Sequence, residues 1–284
     1  MTDSECVKLL QWALPRLRLR WKGFRDVRGQ VCKRIGRRIA QLGLPDAGAY
    51  RARLEADRAE WSTLESLCGV TISRFHRDRG VWDALRDDVL PTLAGAAVAA
   101  GEEALRCWSI GCASGEEPYT LSIVWTLGVA GRYPGLRLHV LGTDFDERVL
   151  ERARAGVYAS ATLRELPAPW RERAFDRDGD RFRVRDEHRA AVELRRADIR
   201  EWLPDGMFRL VLCRNLVFTY FDEALQLETL GRLLTRQSPG GGFVVGSHER
   251  LPPGAALVPW HPALGIFRGV ARARGGRSGP IGVT

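Results

Sequence analysis

Residues 108–119 read Trp-Ser-Ile-Gly-Cys-Ala-Ser-Gly-Glu-Glu-Pro-Tyr, and this stretch decides the fold class of the chain. The apolar run that leads into it predicts a β-strand ending at Gly111, and a helix is predicted to begin at Glu116 or Glu117. Gly111 and Gly115 allow the backbone to turn tightly and to approach a bound molecule closely. A strand, a glycine turn and a helix in this order predict an α/β sheet with a ligand at the carboxyl ends of its strands.

The carboxylates of Glu116 and Glu117 indicate which kind of ligand this turn binds. A dinucleotide site favours the pattern Gly-x-Gly-x-x-Gly, with free amides directed at a pyrophosphate. Two carboxylates at the helix start would repel a phosphate, but they could hold the ammonium and the sulfonium of S-adenosylmethionine. The alternative is that both side chains only interact favourably with the helix dipole.

Acidic residues also follow the next two predicted strands. Asp144 ends the second strand, where a carboxylate can accept hydrogen bonds from both ribose hydroxyls. Asp146 follows it, and its alternative role is the N-cap of the next helix. Asp198 ends the third strand and could accept a hydrogen bond from the amino group of adenine. Acidic groups on successive strand ends favour a cofactor site over a chance arrangement.

Strands and helices alternate through this region and predict a doubly wound parallel sheet. The predicted strands are residues 105–110, 136–142, 192–196, 208–213 and 242–246. The predicted helices are residues 118–129, 147–155 and 223–236. Residues 175–191 interrupt the alternation and predict a small hairpin insert. The domain is expected to span residues 105–272, and a disordered tail is expected at 273–284.

The chain before this domain has a helical pattern and is basic. Residues 1–92 are expected to form a small all-helical domain, and the Ala- and Gly-rich residues 93–104 a linker or loose helix end. One predicted helix, residues 24–42, has an apolar stripe and a polar face with the cations Arg28, Lys33, Arg34, Arg37 and Arg38. This face predicts either docking onto an acidic protein surface or a solvated side of the domain.

Composition restricts the partners and the location. The net charge of +9 favours an acidic partner, such as a carboxylate-rich protein, nucleic acid or anionic lipid. No apolar run reaches the roughly 18–20 residues of a membrane span, and residues 1–14 do not resemble a signal peptide, so a cytoplasmic location is expected. The six cysteines form no CxxC pair, which argues against a zinc site and a disulfide framework. The five histidines show no ligand spacing, so no metal is expected.

Several long motifs resemble those of the chemotaxis-receptor glutamate methyltransferases, the CheR-type family. GCASGEEPYTLSI (111–123) is similar to the family's cofactor loop, GTDFDERVLERARAGVY (142–158) to its second strand and next helix, and FRLVLCRNLVFTYFDE (208–223) to its fourth strand. The resemblance includes the basic helix and the last strands, and it covers about residues 10–270 in the right order. It implies a Rossmann-like enzyme that uses S-adenosylmethionine to methylate glutamate side chains of receptor proteins.

Together with the two loop glycines, the resemblance implies roles for individual residues. The residues expected to line the cofactor site are Thr71, Ser73, Arg77, Gly111, Gly115, Glu117, Asp144, Asp198, Ile199, Cys213, Arg214 and Asn215. Glu117 would bind the methionine ammonium and Asp144 the ribose, whereas Asp198 and Ile199 would contact the adenine edge. Arg77 and Tyr220 are expected beside the acceptor as the catalytic residues.

This reaction needs little from the protein beyond binding and orientation. A glutamate carboxylate, with a pKa of about 4.3, is already ionised at neutral pH. It can therefore attack the sulfonium methyl without a general base, provided that the enzyme desolvates and aligns it. An arginine fork can hold a carboxylate in a fixed direction, and a tyrosine hydroxyl can add a hydrogen bond.

Three departures from the family pattern lie mainly on the acceptor side. Thr71-Ile-Ser73, then Phe75-His76-Arg77, replaces Asn-x-Thr followed by Phe-Phe-Arg. One extra residue precedes Tyr220, and Ser247-His248-Glu249 replaces the order Gly-His-Ser-Glu. The cofactor residues therefore match the family better than the acceptor residues do.

Two alternatives remain open at this point. A methyltransferase could act on a small-molecule carboxylate or thiol, and a thiol would need a base such as His76 or His248. A protein of another class could be a non-catalytic binding module that uses the basic helix for nucleic acid. The intact cofactor loop argues against the second alternative, and no aromatic platform is interleaved with the arginines. Nucleic acid is therefore not the expected partner.

Overall fold

The computed structural model describes residues 1–70 and 73–270, so Thr71 and the predicted tail at 273–284 lie outside the described residues. The helices are α1 (Asp3–Ala13), α2 (Trp21–Phe24), α3 (Arg28–Gln41), α4 (Ala47–Ala56), α5 (Arg58–Cys68), α6 (Arg79–Ala84), α7 (Leu90–Ala99), α8 (Glu116–Gly128), α9 (Glu147–Ala155), α10 (Ala168–Ala174), α11 (Asp186–Arg189), α12 (Val217–Tyr220) and α13 (Glu223–Leu234). The strands are β1 (Ala104–Ile110), β2 (Arg137–Asp144), β3 (Val157–Ala159), β4 (Phe175–Asp178), β5 (Arg181–Val184), β6 (Val192–Arg196), β7 (Phe208–Leu212), β8 (Gln237–Val244), β9 (Leu257–His261) and β10 (Ile266–Gly269). None of these helices of the described chain has the length and apolar character that a membrane crossing requires.

Seven strands form the main sheet, in the order β6-β2-β1-β7-β8-β10-β9. The first five run parallel, whereas β10 pairs antiparallel with both β8 and β9. The strand order reverses between β1 and β7, and an open parallel sheet forms a ligand crevice at such a point. The predicted doubly wound, Rossmann-like α/β fold with helices ahead of it is confirmed.

The N-terminal helices are joined by a buried polar group as well as by apolar contacts. Asp46 and Asp57 are the N-caps of α4 and α5, and each accepts a backbone hydrogen bond. Glu60 on α5 is only 3% exposed, and it accepts hydrogen bonds from Arg38 Nε at 2.9 Å and from the Tyr50 hydroxyl at 2.9 Å. Because a buried carboxylate requires such donors, these contacts hold α3, α4 and α5 in one arrangement.

The basic face of α3 is partly used inside the protein. Arg28 pairs with an aspartate of α1 at 3.3 Å, and Arg38 is the partner of the buried glutamate on α5. Arg34 donates to the main-chain carbonyls of Leu67 and Gly69 at the end of α5. Lys33 and Arg37 are exposed. The cations of α3 that remain available to a partner are therefore fewer than the sequence predicted.

Cys6 on α1 and Cys32 on α3 form a disulfide, with their Cα atoms 5.8 Å apart. The sequence argued against a disulfide framework and did not predict this pair. Spacing could not reveal it, because the two residues are 26 positions apart and are brought together only by the packing of α1 on α3. The described free cysteines, all buried, are Cys68, Cys107, Cys112 and Cys213.

Residues 93–104 do not form the predicted linker. The helix Leu90–Ala99 packs against β1, and its residues Leu93 and Ala97 are buried in the core beside the sheet. A π-helical turn at Leu85–Val89 joins this helix to α6. The predicted domain boundary at residue 92 is therefore wrong, because α6 and α7 belong to the core of the sheet domain.

The hairpin predicted within residues 175–191 is present and belongs to a larger insert. Strands β4 and β5 pair antiparallel, and β3 pairs with the other side of β5. The ring of Phe75 packs edge-on against Tyr158 and Phe175, with centroid distances of 4.8 and 5.1 Å. The insert therefore supports the segment that leads to Arg77.

Candidate functional site

Two adjoining cavities open at the carboxyl ends of β1, β2 and β7. The larger one is open to solvent, and its volume is about 880 Å³ when the open solvent inside it is included. One of its walls comes from the end of α5, and the other comes from the loops that follow the strands. The smaller cavity, of about 500 Å³, shares Val70, Gly111 and Asn215 with the larger one.

Gly111 lies where the two cavities meet, and only a glycine fits there. Its φ is 68°, and a Cβ atom would lie 2.7 Å from Cδ2 of Leu216. Gly115 has a φ of 91° at the start of α8, but a Cβ atom there would contact Tyr119 and Tyr158. Gly111 therefore borders the cavities, whereas Gly115 allows the turn that begins the helix.

Asp144 ends β2 and lies in the wall of the larger cavity. Its Oδ2 accepts a hydrogen bond from the amide of Ala113 at 2.9 Å, and its Oδ1 accepts one from the amide of Asp146 at 3.0 Å. Burial raises the pKa of Asp144. Since an ionised carboxylate has about four acceptor positions, each oxygen can accept one more hydrogen bond. Asp146 caps α9 and does not line the cavity, as its alternative role predicted.

Asp198 and Ile199 line the same cavity beyond β6, next to Arg200. The Nε of Arg200 lies 2.9 and 3.1 Å from the two carboxylate oxygens of Asp198. Burial acts to raise the pKa of Asp198, but the hydrogen bonds from Arg200 hold it below its ordinary value. Arg200 also pairs with Glu65 of α5. Ile199 thus offers an apolar contact, whereas the Asp198 carboxylate has a protein partner that the sequence reasoning missed.

Glu117 lines the smaller cavity and is held by two donors. Its Oε1 accepts a hydrogen bond from the Ser109 hydroxyl at 2.8 Å, and its Oε2 accepts one from Arg214 at 3.2 Å. Burial raises the pKa of Glu117, and the charge of Arg214 limits this rise. The nearly buried Arg214 also donates to Asp78 at 2.7 Å and lies over the ring of Trp82. The orientation of Glu117 is therefore fixed.

The segment before α6 brings Ser73 and Arg77 to the smaller cavity. The main-chain carbonyl of Arg77 accepts hydrogen bonds from Trp82 Nε1 at 2.8 Å and from Arg214 at 3.2 Å. Ser73 forms a hydrogen bond with Glu116, and burial raises the pKa of Glu116 to about 6. This segment is thus attached both to α8 and to the loop after β7.

Tyr220 lines the larger cavity despite the extra residue before it. Its ring packs on Phe24 of α2 with a centroid distance of 5.0 Å, whereas Thr219 donates its hydroxyl to Glu249 at 2.6 Å. Burial raises the pKa of Tyr220 to about 12, and the negative charge of Glu249 adds to this rise. The hydroxyl therefore remains a hydrogen-bond donor at neutral pH. The positive charge of Arg77 opposes this rise. Tyr220 lines the larger cavity and Arg77 the smaller one, so the two expected catalytic residues lie in adjoining cavities.

Two residues that follow β7 differ in burial, since Cys213 is buried and Asn215 is half-buried. Cys213 is fully buried and is not among the residues that line the cavities, whereas Asn215 lines both. The amide of Asn215 donates to Glu249 Oε2 at 2.7 Å. Sequence reasoning missed this role of Glu249, although the departure at Ser247-His248-Glu249 marked the segment.

The two histidines considered as bases lie outside the lining of the cavities. His76 is buried between Trp82 and Trp170, and burial lowers its pKa to about 4. His248 is exposed. Among the described residues that line the two cavities there is therefore no histidine to serve a thiol acceptor.

Comparisons with known proteins agree with this geometry. A family model described as "CheR methyltransferase, SAM binding domain" matches residues 71–258. The chemotaxis protein methyltransferase of Listeria innocua is 31% identical over 222 residues, which cover 78% of the chain and 81% of the relative. That of Escherichia coli K12 is 32% identical over 232 residues, which cover 78% of the chain and 76% of the relative.

A longer relative and a solved structure match less completely. An uncharacterised 104.1 kDa protein of Rhodobacter capsulatus is 33% identical over 226 residues, which cover 78% of the chain but only 23% of that protein. The N-methyltransferase NodS from Bradyrhizobium japonicum, solved with S-adenosyl-L-homocysteine, is 15% identical with a TM-score of 0.30 and covers 56% of this chain and 63% of its own. The fold assignment therefore rests on the strand order described above.

Proposed function

Because the chain belongs to the CheR methyltransferase family, we propose that it methylates glutamate carboxylates of a chemoreceptor-like protein in the cytoplasm. The chain is an S-adenosylmethionine-dependent methyltransferase, and the identity of its methyl acceptor is what we propose. The proposal rests on the residues around the two cavities and on the similarity to chemotaxis protein methyltransferases.

The proposed acceptor depends mainly on the positive charge of the residues that line the smaller cavity. Arg74, Arg77 and Arg214 line it, with Glu117 as the carboxylate among its described lining residues. Arg74 is held by Glu165 at 2.9 Å, and Arg214 is held by its own acidic partners. These ion pairs fix the guanidinium groups in place. Since arginine forks bind carboxylates, an anionic acceptor fits this cavity better than a neutral or cationic one.

The larger cavity fits S-adenosylmethionine by the chemistry of its lining. Asp144 has acceptor positions for the ribose hydroxyls, and Ile199 offers an apolar surface for adenine. Glu117, in the adjoining smaller cavity, supplies a carboxylate for the ammonium, and the missing side chain of Gly111, which borders both cavities, leaves room for close approach. When bound, this cofactor supplies an electrophilic methyl group on its sulfonium.

The residues beside the acceptor would orient its carboxylate and keep water away from it. Arg77 would hold one face of the glutamate carboxylate, and the neutral hydroxyl of Tyr220 would donate a hydrogen bond from the adjoining cavity. No proton has to be removed from an acceptor that is already ionised. The rate then depends on desolvation and alignment, which these fixed side chains provide.

The exposed side of α3 supports docking of an acidic protein. Lys33 and Arg37 are four residues apart, lie on the same side of the helix and are exposed. Such cations steer and hold an acidic partner without taking part in the chemistry.

A methyl-transfer assay tests the proposed acceptor. The protein would be incubated with methyl-tritiated S-adenosylmethionine and a purified receptor signalling domain, and volatile methanol released by base would report carboxyl methyl esters. We expect labelling that disappears when the acceptor glutamates are replaced by alanine. Label that is absent from the receptor domain but present on a small carboxylate or thiol would favour the small-molecule alternative.

A further inference from the structure

Glu65 and Arg200 connect the two walls of the larger cavity. Glu65 lies in the last turn of α5, and Arg200 follows β6 on the opposite side. The guanidinium of Arg200 pairs with Glu65 through Nη1 and with Asp198 through Nε and Nη2. One cation therefore lies between two carboxylates, and all three residues line the cavity.

The wall that carries Arg200 is fixed from behind. Arg232 on α13 donates to the main-chain carbonyls of Ile199, at 3.2 Å, and of Arg200. The amide of Arg200 donates to Asp198 at 2.9 Å. Arg200 therefore keeps its position independently of the N-terminal helices, and Glu65 is the side chain that attaches α5 to it.

Two further contacts show that this end of α5 rests directly on the sheet domain. Arg148 of α9 donates to the Ser66 hydroxyl at 3.0 Å. Gly69 is so close to Phe145 that a Cβ atom there would lie 3.3 Å from the ring. The end of α5 is therefore part of the wall of the cavity rather than a distant neighbour.

We propose that Glu65 is a positioning residue for the cofactor, which acts through Arg200 to hold α5 over the adenine end of the cavity. The cofactor, or its demethylated product, leaves after this ion pair opens. Without Glu65 the wall formed by α5 loses its charged attachment, and without Arg200 the carboxylates of Glu65 and Asp198 face each other uncompensated. The proposal rests on the cofactor assignment and not on the identity of the acceptor.

Dissociation of a labelled cofactor from the full chain tests this role. Tritiated S-adenosylmethionine would be bound to the wild type and to Glu65→Gln, and its release would be timed after addition of excess S-adenosylhomocysteine. We expect release to be about threefold faster or more in Glu65→Gln at low salt. Added sodium chloride should accelerate release from the wild type and have less effect on the variant, because salt screens the ion pair.

A matched control separates the ion pair from a general change of charge. Glu55→Gln removes the same charge from an exposed pair with Arg51 on α4, away from the cavity, and should release the cofactor like the wild type. In the Arg200→Gln background, Glu65→Gln removes a carboxylate that faces Asp198 uncompensated, so it should not accelerate release any further. Equal release rates and equal salt dependence in the wild type and Glu65→Gln would overturn the role of Glu65 alone. A folded wild type that binds no S-adenosylmethionine would overturn the cofactor assignment as well.

Discussion

The carboxylate of Glu249 accepts a hydrogen bond from the main-chain amide of Asn215, with Oε2 2.7 Å from the nitrogen. The same carboxylate accepts hydrogen bonds from the amide of Gly246 and the hydroxyl of Thr219, both at 2.6 Å. Asn215 has a φ of 55°, in the left-handed region that asparagine adopts more readily than most residues other than glycine. Glu249 therefore joins the ends of β7 and β8 and holds the loop that carries Asn215 and Tyr220.

Replacement of Glu249 by glutamine should disturb this loop. The glutamine oxygen can keep the two backbone donors that share Oε2, but it has no negative charge to strengthen these hydrogen bonds, and its NH2 group faces the Thr219 hydroxyl, which can no longer donate to it. We expect the free energy of unfolding to fall by about 1–3 kcal/mol and the affinity for S-adenosylmethionine to fall with it. Urea unfolding and calorimetric titration measure the two effects. Thr219→Val removes one of the three donors and should cost about 1 kcal/mol. A Glu249→Gln variant with unchanged stability and binding would contradict this role.

Asp144→Asn should weaken cofactor binding and also lower stability, because its NH2 group faces one of the two amides, of Ala113 and Asp146, that donate to the carboxylate. The variant loses the charge that strengthens hydrogen bonds to the ribose, and each such bond contributes about 1.5–3 kcal/mol. We therefore expect the dissociation constant of S-adenosylhomocysteine to rise at least about tenfold in calorimetric titration. Asp146→Asn is the matched control, since Asp146 caps α9 outside the cavity and should leave the affinity close to that of the wild type.

Tyr220→Phe should lower kcat while leaving cofactor affinity nearly unchanged. The ring would still pack on Phe24, but the hydroxyl that we assign to the acceptor would be lost. One hydrogen bond to a charged group corresponds to a decrease of about tenfold in kcat. Tyr133→Phe is the control, because that hydroxyl donates to the carbonyl of Pro91 at 2.8 Å, far from the cavities. An unchanged kcat in Tyr220→Phe would remove Tyr220 from the acceptor site.

The parallel sheet could be predicted because its signals are local. The central strands β1 and β7 are mainly apolar, and strand β6 and helix α9 have the predicted bounds, Val192–Arg196 and Glu147–Ala155. Local signals do not predict the structure of residues 93–99. An alanine-rich segment is equally typical of a loose linker and of a helix that packs closely on a sheet, and only its contact with β1 distinguishes the two.

The site could be predicted where one residue acts alone and not where residues act in pairs. The positions of Asp144 and Gly111 at the cavity could be predicted because each lies at the end of a strand, and their binding roles stay predictions. The ion pair of Arg200 with Glu65 joins residues 135 positions apart, and nothing near either residue points to the other. The same reason explains why Glu249 was missed as the partner of Asn215.

Reduction of the Cys6–Cys32 disulfide should lower the stability of the N-terminal helices. A crosslink across 26 residues contributes about 3 kcal/mol by restricting the unfolded chain. We expect the melting temperature of the wild type to fall on addition of a reductant, and the double variant Cys6→Ser, Cys32→Ser to show no such response. Alkylation followed by mass spectrometry would establish the pairing itself. Free thiols at both positions in protein purified without reductant would contradict the assignment.

Glu116 should make the stability of the protein depend on pH. Burial raises its pKa from 4.5 to about 6, so the folded state binds its proton more tightly than the unfolded state does. This contribution to stability is complete below pH 4.5 and is lost as the pH rises through 6, with a total of about 2 kcal/mol. Glu116→Gln imitates the protonated form, so its stability relative to the wild type should increase by about this amount between pH 4.5 and pH 7. Urea unfolding across this range, with the exposed Glu151→Gln as the control, measures the difference. A constant difference between Glu116→Gln and the wild type would show that Glu116 does not titrate in this range.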